Sequence, residues 1–588
     1  MLKKRQMKLV VKYLRNGVNT ISTPAAERTK GALFRLLARL LLGWRGFRKK
    51  MQRPFRKTLE KLKTTNRMKK KFLLMVGTVL TATATAMAGG ILTNTNQSVD
   101  FLRNPARDGA IGLDGVYSNP AGVAFLDEGF HLAFNWQYAH QTRTIESTNP
   151  LFALGRNNNG SSTKTFEGVA DAPIIPSLQG AYNTGDWSIQ FNFSVPGGGG
   201  KCEFDNGLGS FESVVGNIGS QLQPLGVTGY DMKGYMQGKQ YYFGFQLGAA
   251  YKITDNLSVY GGLRVLYGTA SYKAKISDIM VKTGENYVEF GAFLQGTTAM
   301  LDGNLVQVNA GLEQVNAGLE QVNAGIAQYQ SAGAEVPAEL TAKQAELTAT
   351  QADLATKKVT IEGTLQKFGA LQKYSQGVNL QCDQTGVGVA PIIGIDYKLE
   401  RFNFAAKYEF RTPMKMKNKS TVNEASEIPA VNKFRDGDKV DEDAPALLTV
   451  GAQWSILDNL RLNLGYHHFF DQDAKWYNNS QDLLDGNTNE YLGGLEWDLN
   501  EKLTASAGLQ FTRYPLTDKY MNDMSFVVDS YSFGFGVAYK VADNLKLTAA
   551  YFQTNYEDYE KVTMTEPLIK DTFTRTNRVL GLGIEVNF

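Results

Sequence analysis

The chain has 588 residues, with 62 Lys and Arg against 57 Asp and Glu, for a formal net charge of +5. Residues 1–67 contain twenty Lys and Arg against two acidic residues (+18), and Lys69–Lys71 add +3, so residues 89–588 carry −16. This acidic balance excludes a large basic surface for nucleic acid, and no partner of that kind is predicted.

The basic segment 1–67 is followed by a second apparent start at Met68. A lysine triplet, an apolar run and a small-residue stretch that ends at Ala88 come next. These are the three parts of a secretory signal peptide, predicted to span 68–88. Residues 1–67 are expected to lie outside the mature protein, as a mis-assigned upstream start or as an unusual leader.

The next segment, 89–129, is rich in Gly and Ala and lacks the alternation of a membrane-spanning strand. Ahead of a barrel, such a segment is expected to be either a periplasmic extension or a plug folded back into the lumen.

From residue 130 to the end, apolar and polar residues alternate, as in the last strand, Arg578–Phe588. No second sheet or helical layer is available to cover these apolar faces, so they are predicted to face lipid in an outer-membrane β-barrel. Six short turns follow aromatic residues, which suits hairpins at a membrane interface. Phe588 is the expected signal for the barrel-assembly machinery. The predicted strands are fourteen: 130–143, 174–184, 187–195, 240–253, 257–273, 387–399, 402–411, 446–457, 460–470, 489–499, 503–513, 528–541, 545–555 and 574–588.

Alternation also assigns side chains to faces. In strand 402–411 the aromatic residues face lipid, and Lys407 and Arg411 point inward; Arg264 is inward in strand 257–273. These three cations are the candidate partners for a fatty carboxylate in the lumen. Fourteen strands enclose a lumen that the barrel's own side chains cannot fill, so it is expected to be plugged or to conduct.

The run Asp114–Ala124, Asp-Gly-Val-Tyr-Ser-Asn-Pro-Ala-Gly-Val-Ala, resembles the N-terminal hatch of the FadL/TodX family of outer-membrane hydrophobic-compound transporters. The hatch motif would comprise Asn119, Pro120, Ala121 and Gly122. The resemblance also extends to the strand count, the turns and the C-terminal strand. It implies a monomeric channel, plugged by residues 89–129, for passive uptake of long-chain fatty acids or aromatic hydrocarbons.

The resemblance further implies that ligand leaves sideways at a kink in the third strand. Here that strand runs into Pro196, followed by Gly197 and Gly198, and both residue types disrupt ladder bonding. These residues are the candidate wall opening. An ordinary loop exit at Pro196 is the alternative interpretation.

A long loop between the fifth and sixth strands departs from this family. Three heptads run from Leu305 to Gly325, and a second series places apolar residues seven apart from Leu340 to Phe368. The pattern predicts a hairpin of two antiparallel helices within residues 300–375, outside the cell. In the family that the chain resembles, the corresponding loop helps to form a groove that captures ligand, so the hairpin can shape or shield that groove. It can also simply lengthen a loop, or dock to a partner protein or a surface polymer. A structural or adhesive barrel acting through this hairpin is therefore the alternative function, and a general porin is a third.

No catalytic, cofactor or metal site is predicted. His467 and His468 lie near acidic residues but beside no nucleophile motif, so packing is the preferred interpretation. An enzyme is not expected. Cys202 and Cys382 belong to an exported chain, where the sequence leaves open whether they pair.

Overall fold

The computed structural model of the protein describes residues 97–422 and 429–588. The segment 1–67, the predicted signal peptide 68–88 and residues 89–96 of the predicted hatch lie outside the described residues.

The fold is a closed antiparallel barrel in which each of fourteen strands pairs with its neighbour in the chain, and β14 closes onto β1. The strands are β1 Gly129–Thr148, β2 Thr163–Thr184, β3 Trp187–Phe204, β4 Val227–Thr254, β5 Leu257–Thr283, β6 Val378–Leu399, β7 Phe402–Glu409, β8 Ala446–Leu457, β9 Leu460–Phe470, β10 Asn489–Asp498, β11 Leu503–Arg513, β12 Ser530–Ala542, β13 Leu545–Tyr556 and β14 Leu568–Asn587.

The predicted strand count is confirmed, but several strands continue further outward than predicted. β2 begins at Thr163 rather than near residue 174, and β4 begins at Val227 rather than near 240. Beyond the lipid an outward position needs no apolar side chain, so the alternation that reveals a spanning strand fades there. Short strands at Asn286–Glu289, Lys415–Val422, Lys439–Asp441 and Tyr559–Thr565 add to the sheet outside the barrel wall.

The assigned faces are also confirmed. On β7, Phe402 and Phe404 are exposed on the outside, whereas Asn403 and Lys407 are buried inside. An apolar exterior around a polar interior is the arrangement of a barrel solvated by lipid. Exposed aromatic side chains beside the short turns form an interfacial girdle: Tyr182, Trp187, Tyr251, Tyr397, Trp454, Trp497 and Tyr539.

Within the described residues, four α-helices accompany the strands: α1 Val99–Arg103, α2 Gly209–Gln221, α3 Phe290–Ser331 and α4 Ala338–Gln372. Within residues 97–422 and 429–588, no helix combines the length and the apolar character needed to cross a membrane.

The antiparallel pair α3 and α4 is the predicted hairpin, and it packs through glycine notches. A Cβ added to Gly311 would lie 3.3 Å from Leu354 Cδ1, and one added to Gly318 would lie 3.3 Å from Leu347 Cδ1. The glycines that weaken α3 as an isolated helix thus let the leucines of α4 approach closely. Hydrogen bonds between side-chain amides fix the same register: Gln344 to Asn323 at 2.6 Å and Gln351 to Asn316 at 2.7 Å.

Cys202 and Cys382 are both buried and free, so they do not pair. The register explains why: Cys202 on β3 is opposite Gly238 on β4, Gly238 is opposite Tyr272 on β5, and Tyr272 is opposite Cys382 on β6. Three strand spacings separate the cysteines by about 14 Å, roughly twice the Cα separation that a disulfide tolerates.

Candidate functional site

Residues 97–126 fill the inner part of the barrel, where side chains of the wall hold the backbone of this segment. Polar side chains that point into the lumen donate hydrogen bonds of 2.7–2.9 Å to its carbonyl groups. The pairs are Asn183 to Val123, Gln190 to Pro120, Gln246 to Val116, Ser258 to Ala121, Asn403 to Gly109 and Lys407 to Tyr117. Six donors from five strands therefore fix one irregular segment across the bore.

The Asn-Pro-Ala-Gly motif forms a tight turn anchored to β6. Asn119 Nδ2 donates to Asp396 Oδ2 at 2.6 Å and to the Ala110 carbonyl at 3.2 Å, and its Oδ1 accepts from the Gly122 amide at 3.2 Å. A Cβ on Gly122 would lie 2.4 Å from Asn119 Nδ2, which explains the glycine. The motif residues were predicted from the sequence, but their partner Asp396 was not.

A buried ionic cluster joins the same segment to β10. Glu496 accepts from Arg103 at 2.9 Å and from Arg107 at 3.0 Å. Arg103 also pairs with Asp100 at 2.8 Å, and Arg107 pairs with Asp114 at 2.7 Å. One wall carboxylate thus bridges two guanidinium groups of the segment in a dry interior, where each charge depends on the others.

His467 adds a second ionic link to this segment. It is buried on β9, with Nε2 2.9 Å from Asp108 Oδ2 and Nδ1 2.8 Å from Glu490 Oε2. His468 points outward and its Nδ1 lies 2.8 Å from Asn489 Oδ1. Packing was the interpretation from the sequence, and the structure places His467 between two buried carboxylates, Asp108 and Glu490.

Arg264 and Lys407 both point inward, as predicted, and both are already engaged. Arg264 forms a buried ion pair with Glu409 at 2.5 Å. The Arg264 guanidinium and the Lys407 ammonium lie 4.6 and 4.5 Å from the centre of the Tyr117 ring. These cations therefore clamp Tyr117 of the segment 97–126, which we call the plug. Neither cation is placed to receive a ligand without breaking those contacts.

The wall is interrupted between β2 and β3. Asp171 is opposite Lys201 and Leu178 is opposite Phe193, but residues 172–177 have no register partner on β3. On its other side, β3 slips in register against β4 on both sides of Gly197.

Within this break, β3 bends into the lumen. Val195 to Gly198 are buried one after another, which ends the inward–outward alternation, and Gly198 and Gly200 adopt φ values of 99° and 77°. Proline lacks the N–H that a ladder requires, and Pro173 and Pro176 of β2 lie within the break, across from Pro196 of β3. Pro173 and Pro176 are thus a feature of the sequence from which the break could have been predicted.

A cavity lies directly inside the wall break and above α1, with an empty volume of about 960 Å³ including its open mouth. Its lower part is apolar, because Ile175, Val195 and Phe552 belong to one cluster with Phe101 of α1. Its upper part is polar. The cavity can therefore take a molecule that is greasy at one end and polar at the other.

Two arginines that were not predicted from the sequence lie in the polar part. Arg143 and Arg575 are opposite each other on β1 and β14, and both are buried. Arg575 donates to the Phe526 carbonyl at 3.2 Å and to Gln141 Oε1 at 3.4 Å, and its guanidinium lies 4.8 Å from the Tyr556 ring centre. Like charges directly opposite in a sheet repel, so this pair attracts an anion.

No family model matches the sequence, and no curated protein matches it. Among solved structures, a FadL homologue from Pseudomonas aeruginosa superposes with a TM-score of 0.53 at 12% identity, covering 85% of this chain and 100% of that chain. The chain has the FadL-type fold. The toluene transporter TodX from P. putida (TM-score 0.43, 12% identity, 81% and 94% covered) and TbuX from Ralstonia pickettii (0.42, 13%, 82% and 98%) are more distant likenesses.

Tyr514 and Val527 of the loop 514–529 line the cavity. Asp523 of that loop is buried and accepts a 2.7 Å hydrogen bond from the Ser210 amide in the first turn of α2. Burial, followed by the neighbouring Asp571 carboxylate, raises the pKa of Asp523 to about 6.

Arg411, the third predicted cation, pairs with Asp443 at 2.9 Å and is partly exposed.

Proposed function

We propose that the protein is a passive channel for uptake of hydrophobic small molecules across the outer membrane, with long-chain fatty acids as the preferred class. One observation carries the proposal: an amphipathic cavity opens onto a stretch of wall where two strands have lost their pairing. Residues 97–126, held in the bore by side chains of the wall, would close the direct path below the cavity.

The wall break gives such a molecule an apolar route. Next to the break, Ile174 is 69% exposed on the outer surface, at a height where neighbouring strands also present apolar side chains. Transfer of one methylene group from an apolar site to water costs about 0.8 kcal/mol, so a sixteen-carbon chain in a water-filled pore pays more than about 10 kcal/mol. A sideways exit into lipid avoids that cost.

The arginine pair supports the choice of an anionic head group. A carboxylate between Arg143 and Arg575 would receive charge-assisted hydrogen bonds and relieve the repulsion between the two cations. Its chain would extend toward Ile175 and Val195, beside the break. Aromatic hydrocarbons would occupy only the apolar part and gain nothing from the arginines.

A reversible staple across the break tests the route. A Cβ added to Gly200 would lie 3.4 Å from Ala172 Cβ, close to the separation found in disulfides. A cysteine at the φ of 77° of Gly200 is strained, and the reduced form of the same variant controls for that strain. In a background where Cys202 and Cys382 are serine, A172C/G200C is expected to bind palmitate but to lose uptake when oxidised, and to recover when reduced.

The matched control staples the same two strands where they are already paired. Val169 is opposite Glu203 above the break, so V169C/E203C leaves the break free and should not alter uptake. The readout is accumulation of labelled palmitate by Gram-negative cells without another fatty-acid transporter. Undiminished uptake through the oxidised A172C/G200C barrel would rule out the sideways route.

The alternative, a structural or adhesive barrel, rests on the long exposed hairpin of α3 and α4. Its base packs into the loops through Phe290, Leu294 and Phe368, whereas the distal part stands clear of the barrel. Replacing residues 306–359 by a short glycine-rich turn keeps that base. Uptake is expected to survive; its loss, with surface expression retained, would favour a function located in the hairpin.

A further inference from the structure

One quadrant of the outer surface concentrates exposed cations, although residues 89–588 are acidic overall. We call this group the lysine patch; all its members are exposed and face outward on β3, β4, β5 and the two short strands next to β6. Its members are Lys201, Lys239, Lys273, Lys275, Lys417, Lys419 and Lys439.

Strand register makes the patch continuous. Lys201 is opposite Lys239, and Lys417 is opposite Lys439, so two pairs of like charges face each other directly. Such pairs repel unless an anion lies between them. The arrangement therefore favours the binding of a multivalent anion.

Few protein carboxylates satisfy these lysines. Lys201 pairs with Glu203 at 2.7 Å. In the part of the chain that the structure describes, none of the other six lysines forms an ion pair. Two further acidic side chains lie on this surface: Asp383 is opposite Lys419, and Asp441 pairs with Lys415 at 3.2 Å beside Lys417 and Lys439. The remaining charge is therefore available to a ligand.

The height of the patch identifies the kind of ligand. Tyr267 and Val387 are opposite each other and are the last exposed apolar pair on β5 and β6. Lys417 is level with Thr385, two residues beyond Val387, and Lys273 is six residues beyond Tyr267. With a rise of 3.3 Å per residue and a tilt near 40°, Lys417 lies about 5 Å above the apolar surface, Lys273 about 15 Å and Lys275, eight residues beyond Tyr267, about 20 Å. The lower edge of the patch therefore lies in the head-group layer, which is about 5–8 Å thick, and its upper members lie beyond that layer, where only a lipid with a large head group would reach.

The patch is also one-sided. On β1 and β2, the exposed outward positions at the extracellular end include Glu146, Glu167 and Asp171 instead of lysine. A uniform ring of cations would serve general adhesion to an anionic surface, whereas a single quadrant is a localised site.

We propose that the lysine patch binds the phosphorylated head group of an outer-leaflet glycolipid, whose acyl chains pack on the apolar surface of β4 to β6 below it. The ammonium groups would contact phosphate oxygens, and Tyr267 and Val387 would contact the first methylenes. Lys201 and Lys239 border the wall break, so the bound lipid would lie next to it.

The test uses the full mature protein in dodecyl maltoside and bisphosphorylated lipid A as the probe, with bound lipid counted by native mass spectrometry. K239Q/K417Q/K419Q/K439Q is expected to weaken binding at least tenfold, since each cation near a charged membrane surface contributes roughly fivefold. The control K343Q/K357Q/K358Q removes three exposed hairpin lysines that already have acidic partners and should bind normally.

Two further measurements separate the sources of phosphate. Lipid A stripped of its phosphates should bind the wild-type protein at least tenfold more weakly, and 10 mM inorganic phosphate should not displace the intact lipid. Equal binding of the stripped lipid, displacement by free phosphate, or wild-type affinity in the quadruple variant would each overturn the proposal. Palmitate uptake, which depends on the cavity, is measured separately and is expected to stay unchanged in the quadruple variant.

Discussion

Glu496 is the wall carboxylate that binds the two arginines of the plug, Arg103 and Arg107, and its neutralisation should loosen that plug. E496Q keeps the size of the side chain but removes the negative charge shared by Arg103 and Arg107. Each guanidinium retains one carboxylate within the plug, Asp100 or Asp114, so the plug stays folded while its link to β10 weakens.

The expected magnitude follows from burial. The side chains of Glu496, Arg103 and Arg107 are each 6% exposed, so solvent screens their interaction little. Breaking a buried ion pair typically costs 3–5 kcal/mol, and the two internal pairs that survive place E496Q near the lower limit, at about 3 kcal/mol. That free energy corresponds to roughly a hundredfold increase in the open population of the plug.

Hydrogen exchange of residues 97–126 measures this population, and single-channel recording in planar bilayers measures its consequence. Amide protection should fall about a hundredfold, and brief ion-conducting openings should appear in a barrel that is otherwise closed. D458N is the control, because it removes an exposed ion pair with Arg401 at a turn. Unchanged protection in E496Q would refute the view that this carboxylate secures the plug.

Three further predictions concern the cavity, the loop and the hairpin. R143Q/R575Q should weaken palmitate binding at least tenfold in a fluorescence displacement assay and leave toluene binding unchanged; equal losses would contradict a head-group role. Because burial raises the pKa of Asp523 from 3.8 to about 6, its contribution to stability is complete below pH 4 and is lost as the pH rises through 6. D523N should therefore stabilise the loop 514–529 above pH 6, by up to about 3 kcal/mol, as seen by hydrogen exchange, and a wild-type pH profile would exclude this assignment. G318V should push Leu347 away and separate the helices, which lowers the helical circular dichroism signal without altering uptake; an unchanged thermal transition of that signal would contradict the notch.

Much of this fold could be predicted from the sequence because the outer face of the barrel has to contact lipid. A side chain such as Phe404 has to face acyl chains, and the adjacent Asn403 has to face the bore, so alternation reveals both the strand and its register. Where lipid ends, that constraint ends too, and the outer part of β2 from Thr163 to about residue 173 escaped detection for this reason. The α3–α4 hairpin was predictable because its heptads must match over several turns.

The candidate site was less predictable, because parity gives the direction of a side chain and not its partner. Arg264 and Arg575 both point inward. Arg264 contacts Tyr117 and Glu409, whereas Arg575 lines the open cavity. That difference depends on how the plug folds back into the bore, a contact between parts of the chain far apart in sequence. Alternation within one strand contains no information about it.

The repeated glycine notches make the length of the hairpin adjustable. Since Gly311 meets Leu354 and Gly318 meets Leu347, the insertion of one heptad in α3 and one in α4 would restore the same contacts one step further out. Each such step moves the tip by about 10 Å and leaves the base and the barrel unaltered. Duplication of a 21-nucleotide unit in the coding sequence of both helices would thus change the length of the hairpin without rebuilding the barrel below.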